Sequence, residues 1–564
     1  MNGVGEIQLQ QLGAPLTIAL LAFFFGGTFL ISLSISRRKE NADGYMTAGN
    51  GIGFGVSAAS MTATWIWAAS MYASATSGYT YGISGPIHYG LWGALMILFI
   101  YPFGRRIRAL APEAHTLAEI MFARHGRSSQ LMLAGSNVLG SLLSLTSNFI
   151  AGGALISMLS PISFSQGVVI IAAGVLLYTL WSGFRASVLT DFVQVCAMLG
   201  AVVIIVPAVF FAAGGPSVFV EGAGNLTAEQ STFFSSDAFL NQGAPYIAAV
   251  LAYAIGNQTI AQRLFAVRED LIKPTFITAT VGYGATIIGI GMLGVVALYL
   301  GIEPMNGDVN NLIPQLASTY LGPVLLSVFF IMIVGSLAST ADSDLSALSS
   351  IMMADIYGRN IAGGKNANPR TMLFVGRITM IVATAAALYF AGGRMNILDL
   401  LVFVGALWGA LVFPVIASFY WDKVTNAAFT ASVLAALAVF LPVRFGWIPM
   451  EGVTGLVFDV FAVIGIGVVA GLMVFGFFGA RAGRITGTLA ALAAAPFAIG
   501  FLHDYAVLSS SLLAYAVSTI VCCALSVRSK RRFDFRLIAA RTGNFDEEDA
   551  GQASPGRARP ATAR

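Results

Sequence analysis

The segment FIMIVGSLASTADSDLS, residues 330–346, carries two aspartates inside a longer apolar stretch. Ionisable side chains inside a membrane span are costly, so they face a cavity, an ion or a partner rather than lipid. The hydroxyl residues Ser336, Ser339, Thr340 and Ser343 recur at intervals of three and four, which places them on one helical face. Hydroxyl and carboxylate oxygens on one face suit a hard cation such as Na⁺. The alternative is that the hydroxyls only pack one helix against another.

The composition of the whole chain agrees with a membrane location for this segment. Of its 564 residues, 57% are hydrophobic and only 10% are charged, which is too little charge for a soluble surface. Apolar stretches of about 18 residues or more recur along the chain, so we predict an all-α polytopic membrane protein. The three cysteines lie in apolar segments and indicate no disulfide framework. The net charge of +4 gives no reason to expect a nucleic-acid partner.

Hydropathy and the distribution of basic residues predict the topology. We predict fifteen spans that begin near Pro15, Gly53, Ser84, Gln130, Ile162, Ser187, Ala244, Pro274, Gly322, Thr371, Asn396, Asn426, Gly455, Ile485 and Ala506. Lysine and arginine concentrate in alternate loops and in the C-terminal tail, with Arg394 and Arg444 as exceptions. This asymmetry predicts a protein of the plasma (inner) membrane, with its N-terminus outside and its C-terminus in the cytoplasm.

Two of the predicted spans carry small, polar or glycine residues at mid-membrane. They are the second, at residues 57–67, and the seventh, at residues 252–263. These spans lie five apart, at matching positions of two consecutive five-span blocks, and an odd number of spans per block makes the two blocks inverted copies. Helices that break at matching points of inverted repeats are typical of transporter binding sites. Carbonyls freed at the first break would bind a cation, and freed helix ends would orient a solute.

The span pattern divides the chain into five parts. We predict an extra N-terminal transmembrane helix with the first cytoplasmic loop at 1–50, a first five-helix repeat at 51–214 and a second, inverted repeat at 215–424. Additional C-terminal helices follow at 425–527. A disordered cytoplasmic tail occupies residues 528–564, because that segment is rich in charge, proline, glycine and alanine.

Three motifs resemble those of the sodium–solute symporter family. They are GNQTIAQRLFA at 256–266, GFRASVLTDFVQ at 183–194, and Ser339-Thr340 followed by Ser349-Ser350 and Asp355-Ile356-Tyr357. Their order and spacing match the family. The resemblance implies a LeuT-like five-plus-five inverted-repeat core with one extra N-terminal helix and about four extra C-terminal helices.

The resemblance also implies a main sodium site between the first broken span and the segment described first. In that site, backbone carbonyls of Ser60, Ala63 and Ser336 and the side-chain oxygens of Ser339 and Thr340 would bind Na⁺. These last two residues belong to the hydroxyl face identified from the sequence pattern alone.

Some members of the family have a second ion site, which corresponds here to Asp191, Asp342 and Ser343. Because Asp342 stands where a hydroxyl is expected, we predict a site for either Na⁺ or H⁺, since two carboxyls that share a site favour a proton on one of them. In an alternative interpretation, Asp191 is a helix-start charge beside Arg185. In another, Asp342 and Asp344 only line a cytoplasmic vestibule.

The solute is suggested by a resemblance to the urea transporter branch of the family, carried by WIWAA at 65–69, YGISGP at 81–86, and AHT at 114–116 with Glu119. We expect four side chains to contact the solute: Trp65, Trp67, Asn257 and Gln258. The amides suit urea as donors and acceptors, and the indoles would sandwich a flat molecule, unless they are only core or interface aromatics. No lysine or arginine is expected deep in the core spans, which favours a neutral or zwitterionic solute.

The predicted function is therefore sodium-coupled secondary active symport of a small polar solute, with urea as the first candidate. The alternatives are a sodium or proton symporter of an amino acid or monocarboxylate, a channel, and a transporter-like sensor. A channel would need a repeated pore-lining loop, and a sensor a signalling domain, neither of which the sequence suggests. We predict no enzymatic activity, because no nucleophile elbow, phosphate loop or zinc spacing appears. The oligomeric state is not predicted.

Overall fold

The computed structural model describes residues 9–36, 42–180, 183–363, 367–543 and Phe545. Within these ranges every regular element is a helix. The α-helices are α1 (Ala14–Ser36), α2 (Ala42–Thr47), α3 (Phe54–Trp65), α4 (Ala68–Tyr81), α5 (Ser84–Leu110), α6 (Leu117–His125), α7 (Arg127–Leu159), α8 (Phe164–Thr179), α9 (Phe184–Ala212), α10 (Ser217–Glu221), α11 (Ser236–Ala238), α12 (Ala244–Gly256), α13 (Gln258–Ala266), α14 (Ile272–Tyr299), α15 (Leu312–Tyr320), α16 (Pro323–Ser350), α17 (Pro369–Ala391), α18 (Ile397–Tyr420), α19 (Asn426–Arg444), α20 (Gly452–Ala498), α21 (Ala506–Val527) and α22 (Arg536–Arg541).

Eleven helices in the described ranges are long and apolar enough to cross a membrane, or up to twelve when a bent pair is included. The other predicted spans correspond to shorter or broken elements. The 16-residue helix α8 is one of them, and α3 with α4 forms a broken segment. Helix α20 is 47 residues long but bends at Gly479, whose φ of 82° is left-handed, so it forms two segments. With these elements included, each predicted span start has a helical counterpart.

Both predicted helix breaks are present. Helix α3 ends at Trp65 because Ile66 leaves the helical region with a ψ of 70°, and the chain is extended at Trp67 before α4 begins. Helices α12 and α13 meet at Asn257, which is extended and whose side chain accepts a hydrogen bond from the backbone N–H of Thr259. Asparagine is a favoured N-cap residue, so this contact starts α13 after the break. The bend between the two helical segments is 49°.

The centre of the bundle is α16, which continues as a π-helix from Ile351 to Ile361. It packs against α7, α9, α8 and the first broken pair. The polar residues that this helix carries from Ser336 to Asp344 are at most 2% exposed. The segment predicted to face an ion therefore lies in the interior of the protein, away from lipid.

The start of the C-terminal tail packs on the side of the bundle predicted to be cytoplasmic. Ile538 is fully buried, and Phe545 is 6% exposed. The guanidinium carbon of Arg124 lies 4.1 Å from the ring centroid of Phe533, and that of Arg359 lies 4.7 Å from the ring centroid of Phe545. Residues 528–543 include the helix α22, and Ile538 of that helix is buried against the bundle, which differs from the expectation of disorder for this part of the tail. Residues 546–564 of the predicted tail lie outside the described residues.

Candidate ion and solute sites

A buried arginine stands at the centre of the predicted ion-binding region. Arg263, in α13, is 4% exposed. Its Nη2 donates to Oδ2 of Asp191 over 2.9 Å and to Oγ of Ser343 over 2.7 Å, and its Nε donates to Oγ of Ser60 over 3.0 Å. Helices α3, α9, α13 and α16 therefore meet at a single guanidinium group.

Asp342 lies beside this cluster and is fully buried. Its Oδ1 accepts from the hydroxyl of Ser187 over 2.8 Å and from that of Ser343 over 3.2 Å. Its Oδ2 accepts from the phenol of Tyr178 over 2.9 Å. The structure thus brings together the three residues predicted for the second ion site, Asp191, Asp342 and Ser343.

The charges in this cluster correct the expectation that no basic residue lies deep in the core. Arg263 is buried there, and its carboxylate partner is Asp191. Asp191 is fully buried. This burial argues against the interpretation of Asp191 as a helix-start charge beside Arg185. Asp344 does not line a water-filled vestibule either, because it is 2% exposed and accepts from Ser144 over 2.5 Å.

The hydroxyl face of α16 lies against the first helix break. The hydroxyl of Ser336 donates to the carbonyl of Ile66. The hydroxyl of Thr340 lies 3.4 Å from the carbonyl oxygen of Thr64 and 3.3 Å from that of Ser336. Carbonyl and hydroxyl oxygens at such distances are a donor set suited to a hard cation.

The other predicted sodium ligands are nearby but have partners of their own. The hydroxyl of Ser339 donates to Oδ1 of Asp191 over 2.5 Å. The carbonyl of Ser60 accepts from Nε of Arg263 over 3.3 Å. Ala63 is fully buried and directly precedes Thr64, whose carbonyl oxygen lies near the hydroxyl of Thr340. The carbonyls in contact with the α16 hydroxyls in this conformation are therefore those of Thr64 and Ile66.

A small enclosed cavity lies between the two broken helices. Its volume is about 20 Å³, and it is lined by Trp65, Trp67, Ser70, Tyr89, Gly93, Met96, Tyr246, Tyr253, Tyr283 and Leu401. The ring centroids of Trp65 and Trp67 are 6.3 Å apart, with 17° between the ring planes. The ring of Tyr253 lies 6.0 Å from that of Trp65. None of the lining side chains carries a formal charge.

Two polar donors at this cavity lack partners. The indole N–H groups of Trp65 and Trp67 are buried, and neither finds a hydrogen-bond acceptor among the described residues. A buried donor without a partner costs about 1–3 kcal/mol. A ligand with an acceptor oxygen would remove that cost, so the cavity favours a small molecule with a polar acceptor over a purely apolar one.

The two amide residues expected at the solute have other contacts. Gln258 donates from Nε2 to the carbonyl of His115 over 2.9 Å and accepts from the backbone N–H of Leu117 over 3.1 Å. Asn257 caps α13 through the N–H and hydroxyl of Thr259. Neither residue lines the aromatic cavity. In this conformation Gln258 fixes the segment before α6, and Asn257 fixes the second helix break.

The segment held by Gln258 contains a buried ionic cluster outside the membrane spans. Nε2 of His115 lies 2.9 Å from Oδ1 of Asp43, and Nδ1 lies 3.1 Å from Oε2 of Glu119. Burial alone would lower the pKa of His115, but the neighbouring carboxylates Glu119 and Asp43 raise it to about 10. Arg359 forms a salt bridge with Glu119. This cluster joins α2, α6 and the end of the π-helix.

Several site residues were not identified from the sequence. The sequence analysis expects no basic residue deep in the core and so does not identify Arg263, although the isolated Asp191 in a neighbouring span indicates a need for a positive partner. The tyrosines of the cavity come from α5, α12 and α14, so no local pattern joins them. The partners of Asp342 on α8 and α9 are likewise distant in the sequence.

Comparison with known proteins identifies this class of fold and site. The model of the sodium:solute symporter family matches residues 45–436, and the chain belongs to that family. It is 23% identical over 461 residues to the probable urea active transporter 1 of Schizosaccharomyces pombe, covering 75% of this chain and 68% of the relative. It is 24% identical over 392 residues to the sodium/pantothenate symporter of Haemophilus influenzae, covering 66% and 80%.

The solved structure of a Na⁺-coupled sialic acid symporter in a substrate-bound, outward-open state is also similar. The TM-score is 0.64 at 19% identity, with 85% of this chain and 98% of that chain covered. This likeness confirms the predicted all-α, LeuT-like fold. The protein is an integral membrane transporter of a family that couples solute movement to sodium. Relatives with different solutes are equally similar to this chain, so the solute has to be argued from the site.

Proposed function

We propose that this protein imports a small, neutral, polar solute together with sodium by alternating access, and that the solute is urea. The observation that carries the proposal is the enclosed cavity of about 20 Å³ between the helix breaks, walled by Trp65 and Trp67 and free of charged side chains. A cavity of this size holds only one or two water molecules. Its walls would have to move apart slightly to admit urea, and much further to admit a solute as large as pantothenate or sialic acid.

Urea matches the chemistry of the cavity walls. It is flat, so it would stack against the face of an indole ring, and its carbonyl oxygen would accept from the unpaired N–H groups of Trp65 or Trp67. Its amino groups would donate to the hydroxyls near Ser70, where the phenol of Tyr89 lies 3.3 Å from Oγ. Asn257 lies at the second break and would contact the solute when that break opens. Gln258 would then link the solute site to the segment before α6.

The main sodium ion would bind at the junction of α3 and α16. We assign it the carbonyls of Ser60, Ala63 and Ser336 and the hydroxyls of Ser339 and Thr340. The contact of Thr340 with the first helix break supports this assignment. Because the same break also carries the tryptophans of the cavity, an ion that orders this backbone would also order the solute site. That shared segment is the proposed physical basis of coupling.

A second coupling ion would bind at Asp191, Asp342 and Ser343. Two carboxyl groups and one guanidinium, that of Arg263, leave one negative charge uncompensated in the interior when both carboxyls are ionised. Either Na⁺ or a proton on one carboxyl would balance it. The hydroxyls of Ser187 and Tyr178 orient Asp342 in either case.

Symport of a monocarboxylate is the second candidate, since the sodium/pantothenate symporter of Haemophilus influenzae is a relative. It is less well supported, because an anion in this cavity would meet no cationic side chain. Arg263, the buried cation nearby, is bonded to Asp191. A channel would require a continuous water-filled path, whereas the cavity is enclosed.

The experiment is uptake of labelled urea, proline and pantothenate into proteoliposomes containing the purified protein. We expect sodium-dependent uptake of urea and little of the other two. Trp67→Ala should raise the apparent KM for urea roughly two- to tenfold, the range for loss of one aromatic contact. Trp447→Ala, at a tryptophan that is 70% exposed, is the matched control. Sodium-dependent uptake of proline or pantothenate without urea would refute the solute and retain symport.

A further inference from the structure

The C-terminal helices form a groove far from the aromatic cavity. Its volume is about 840 Å³, and it lies between the end of α18 and the two halves of α20. Ile416 and Tyr420 of α18 line one wall, and the ring centroid of Tyr420 lies 4.8 Å from that of Phe475 in α20. The lining is predominantly apolar, and part of it is exposed, including Leu492.

The two halves of α20 pack against each other through glycines. A Cβ added at Gly487 would lie 2.6 Å from the carbonyl oxygen of Gly467, and one added at Gly471 would lie 2.9 Å from that of Gly483. The backbones are therefore too close for side chains at these positions. Gly471 and Gly487 also line the groove, so no side chain projects into it from these positions.

The length of the groove matches one leaflet of a bilayer. Along the second half of α20 its lining runs from Ala480 to Leu492, a length of about 18 Å at the helical rise per residue. Half of a bilayer's hydrocarbon core is about 15 Å. An extended acyl chain of one leaflet thus fits along it.

One end of the groove is positively charged. Arg484 lines this end and is exposed. Its Nε donates a hydrogen bond to the carbonyl of Ala480, on the same helix, over 3.3 Å. The guanidinium carbon of Arg106 lies 5.6 Å from the ring centroid of Tyr420. Within the part of the chain that the structure describes, neither arginine has a carboxylate partner. Both belong to the side predicted to be cytoplasmic, where anionic lipids attract basic residues.

We propose that this groove is a binding site for an anionic phospholipid of that leaflet. One acyl chain lies between α18 and α20, and the phosphate pairs with Arg484 and Arg106. The apolar length specifies a lipid tail, and the charged end specifies an anionic headgroup. The site is independent of the identity of the transported solute.

The test is native mass spectrometry of the detergent-purified full chain, titrated with phosphatidylglycerol or with phosphatidylcholine of the same acyl chains. We expect the wild type to retain phosphatidylglycerol preferentially. Arg484→Gln should lower its affinity about fivefold, the effect of roughly 1 kcal/mol per basic residue near an anionic lipid. Arg484→Lys should restore most of the loss. Arg377→Gln, at an exposed arginine of α17, is the matched control and should change nothing.

A second variant tests the apolar part of the site. Thr488 lines the groove and is exposed, so Thr488→Trp should block it without disturbing the glycine contacts and should abolish retention of phosphatidylglycerol. Thermal unfolding checks that each variant is folded, and Arg106→Gln replaces Arg484→Gln if the latter is not. Equal retention of both lipids, unchanged binding by folded Arg484→Gln and Thr488→Trp, or a dimer that Thr488→Trp disrupts would each overturn the proposal.

Discussion

Nη2 of Arg263 lies 2.9 Å from Oδ2 of Asp191, and both side chains are buried in the transmembrane bundle. Removing one member of a buried ion pair leaves an uncompensated charge and costs about 3–5 kcal/mol. We therefore expect Arg263→Gln to lower the thermal midpoint in detergent substantially, and Asp191→Asn to lower it less, because Asp342 still lies near the guanidinium. The double variant should recover much of the loss, because neither charge is then left alone. Single variants as stable as the wild type would contradict a paired guanidinium at this position.

The sodium assignment predicts a specific effect of Thr340→Ala. The substitution removes one of roughly five proposed oxygen ligands, and a hydrogen bond to a charged group contributes about 1.5–3 kcal/mol. The sodium concentration for half-maximal uptake should therefore rise about tenfold or more. Thr384→Ala is the control, because the hydroxyl of that buried threonine bonds only the carbonyl of Met380 on its own helix. An unchanged sodium dependence in Thr340→Ala would remove this residue from the site.

The second-ion assignment is tested by Asp342→Asn. The amide keeps the shape of the side chain and can still accept from Ser187 or Tyr178 through its one oxygen, while its charge is removed. We expect a lower Hill coefficient for sodium if the ion is Na⁺, or a changed pH profile of uptake if it is H⁺. Recognition of the solute should remain largely intact. A variant that transports normally with neither change would show that Asp342 binds no coupling ion.

The ionic cluster at His115 predicts a dependence of stability on pH. The folded-state pKa of about 10 lies above the unfolded value of about 6.5, so the protonated form favours folding. This contribution is fully present below pH 6.5 and is lost as the pH rises through 10. The difference in thermal midpoint between the wild type and His115→Gln should therefore shrink from pH 6.5 to 10. A difference that stays constant or widens would show that His115 is not charged in the fold.

Much of the fold followed from the sequence because membrane spans and helix breaks are local features. The hydroxyl residues of α16 repeat along one helix, so the buried hydroxyl face that contains Ser339 and Thr340 was predictable, and the broken spans contain their own small and polar residues. Asp342 and Asp191 were also predictable, because carboxyls in apolar spans are conspicuous.

The parts that could not be predicted depend on contacts between distant segments. Arg263 follows an apolar stretch, where a basic residue normally marks the cytoplasmic end of a span. The structure instead buries Arg263 beside Asp191. The amide of Gln258 suited a solute, but which partner it meets depends on how the segment containing His115 folds back. The burial of the tail could not be predicted for the same reason, because Phe545 packs against Arg359, which is more than 180 positions earlier in the chain.

Accumulation of labelled urea in proteoliposomes tests the central claim most directly. With an inward sodium gradient, urea inside the vesicles should rise above its external concentration, and it should fall back when a sodium ionophore collapses the gradient. With an equal potassium gradient in place of sodium, the urea concentration inside the vesicles should at most reach the external concentration. Urea that equilibrates without accumulating, whether or not sodium is present, or urea that does not enter at all, would contradict sodium-coupled urea symport.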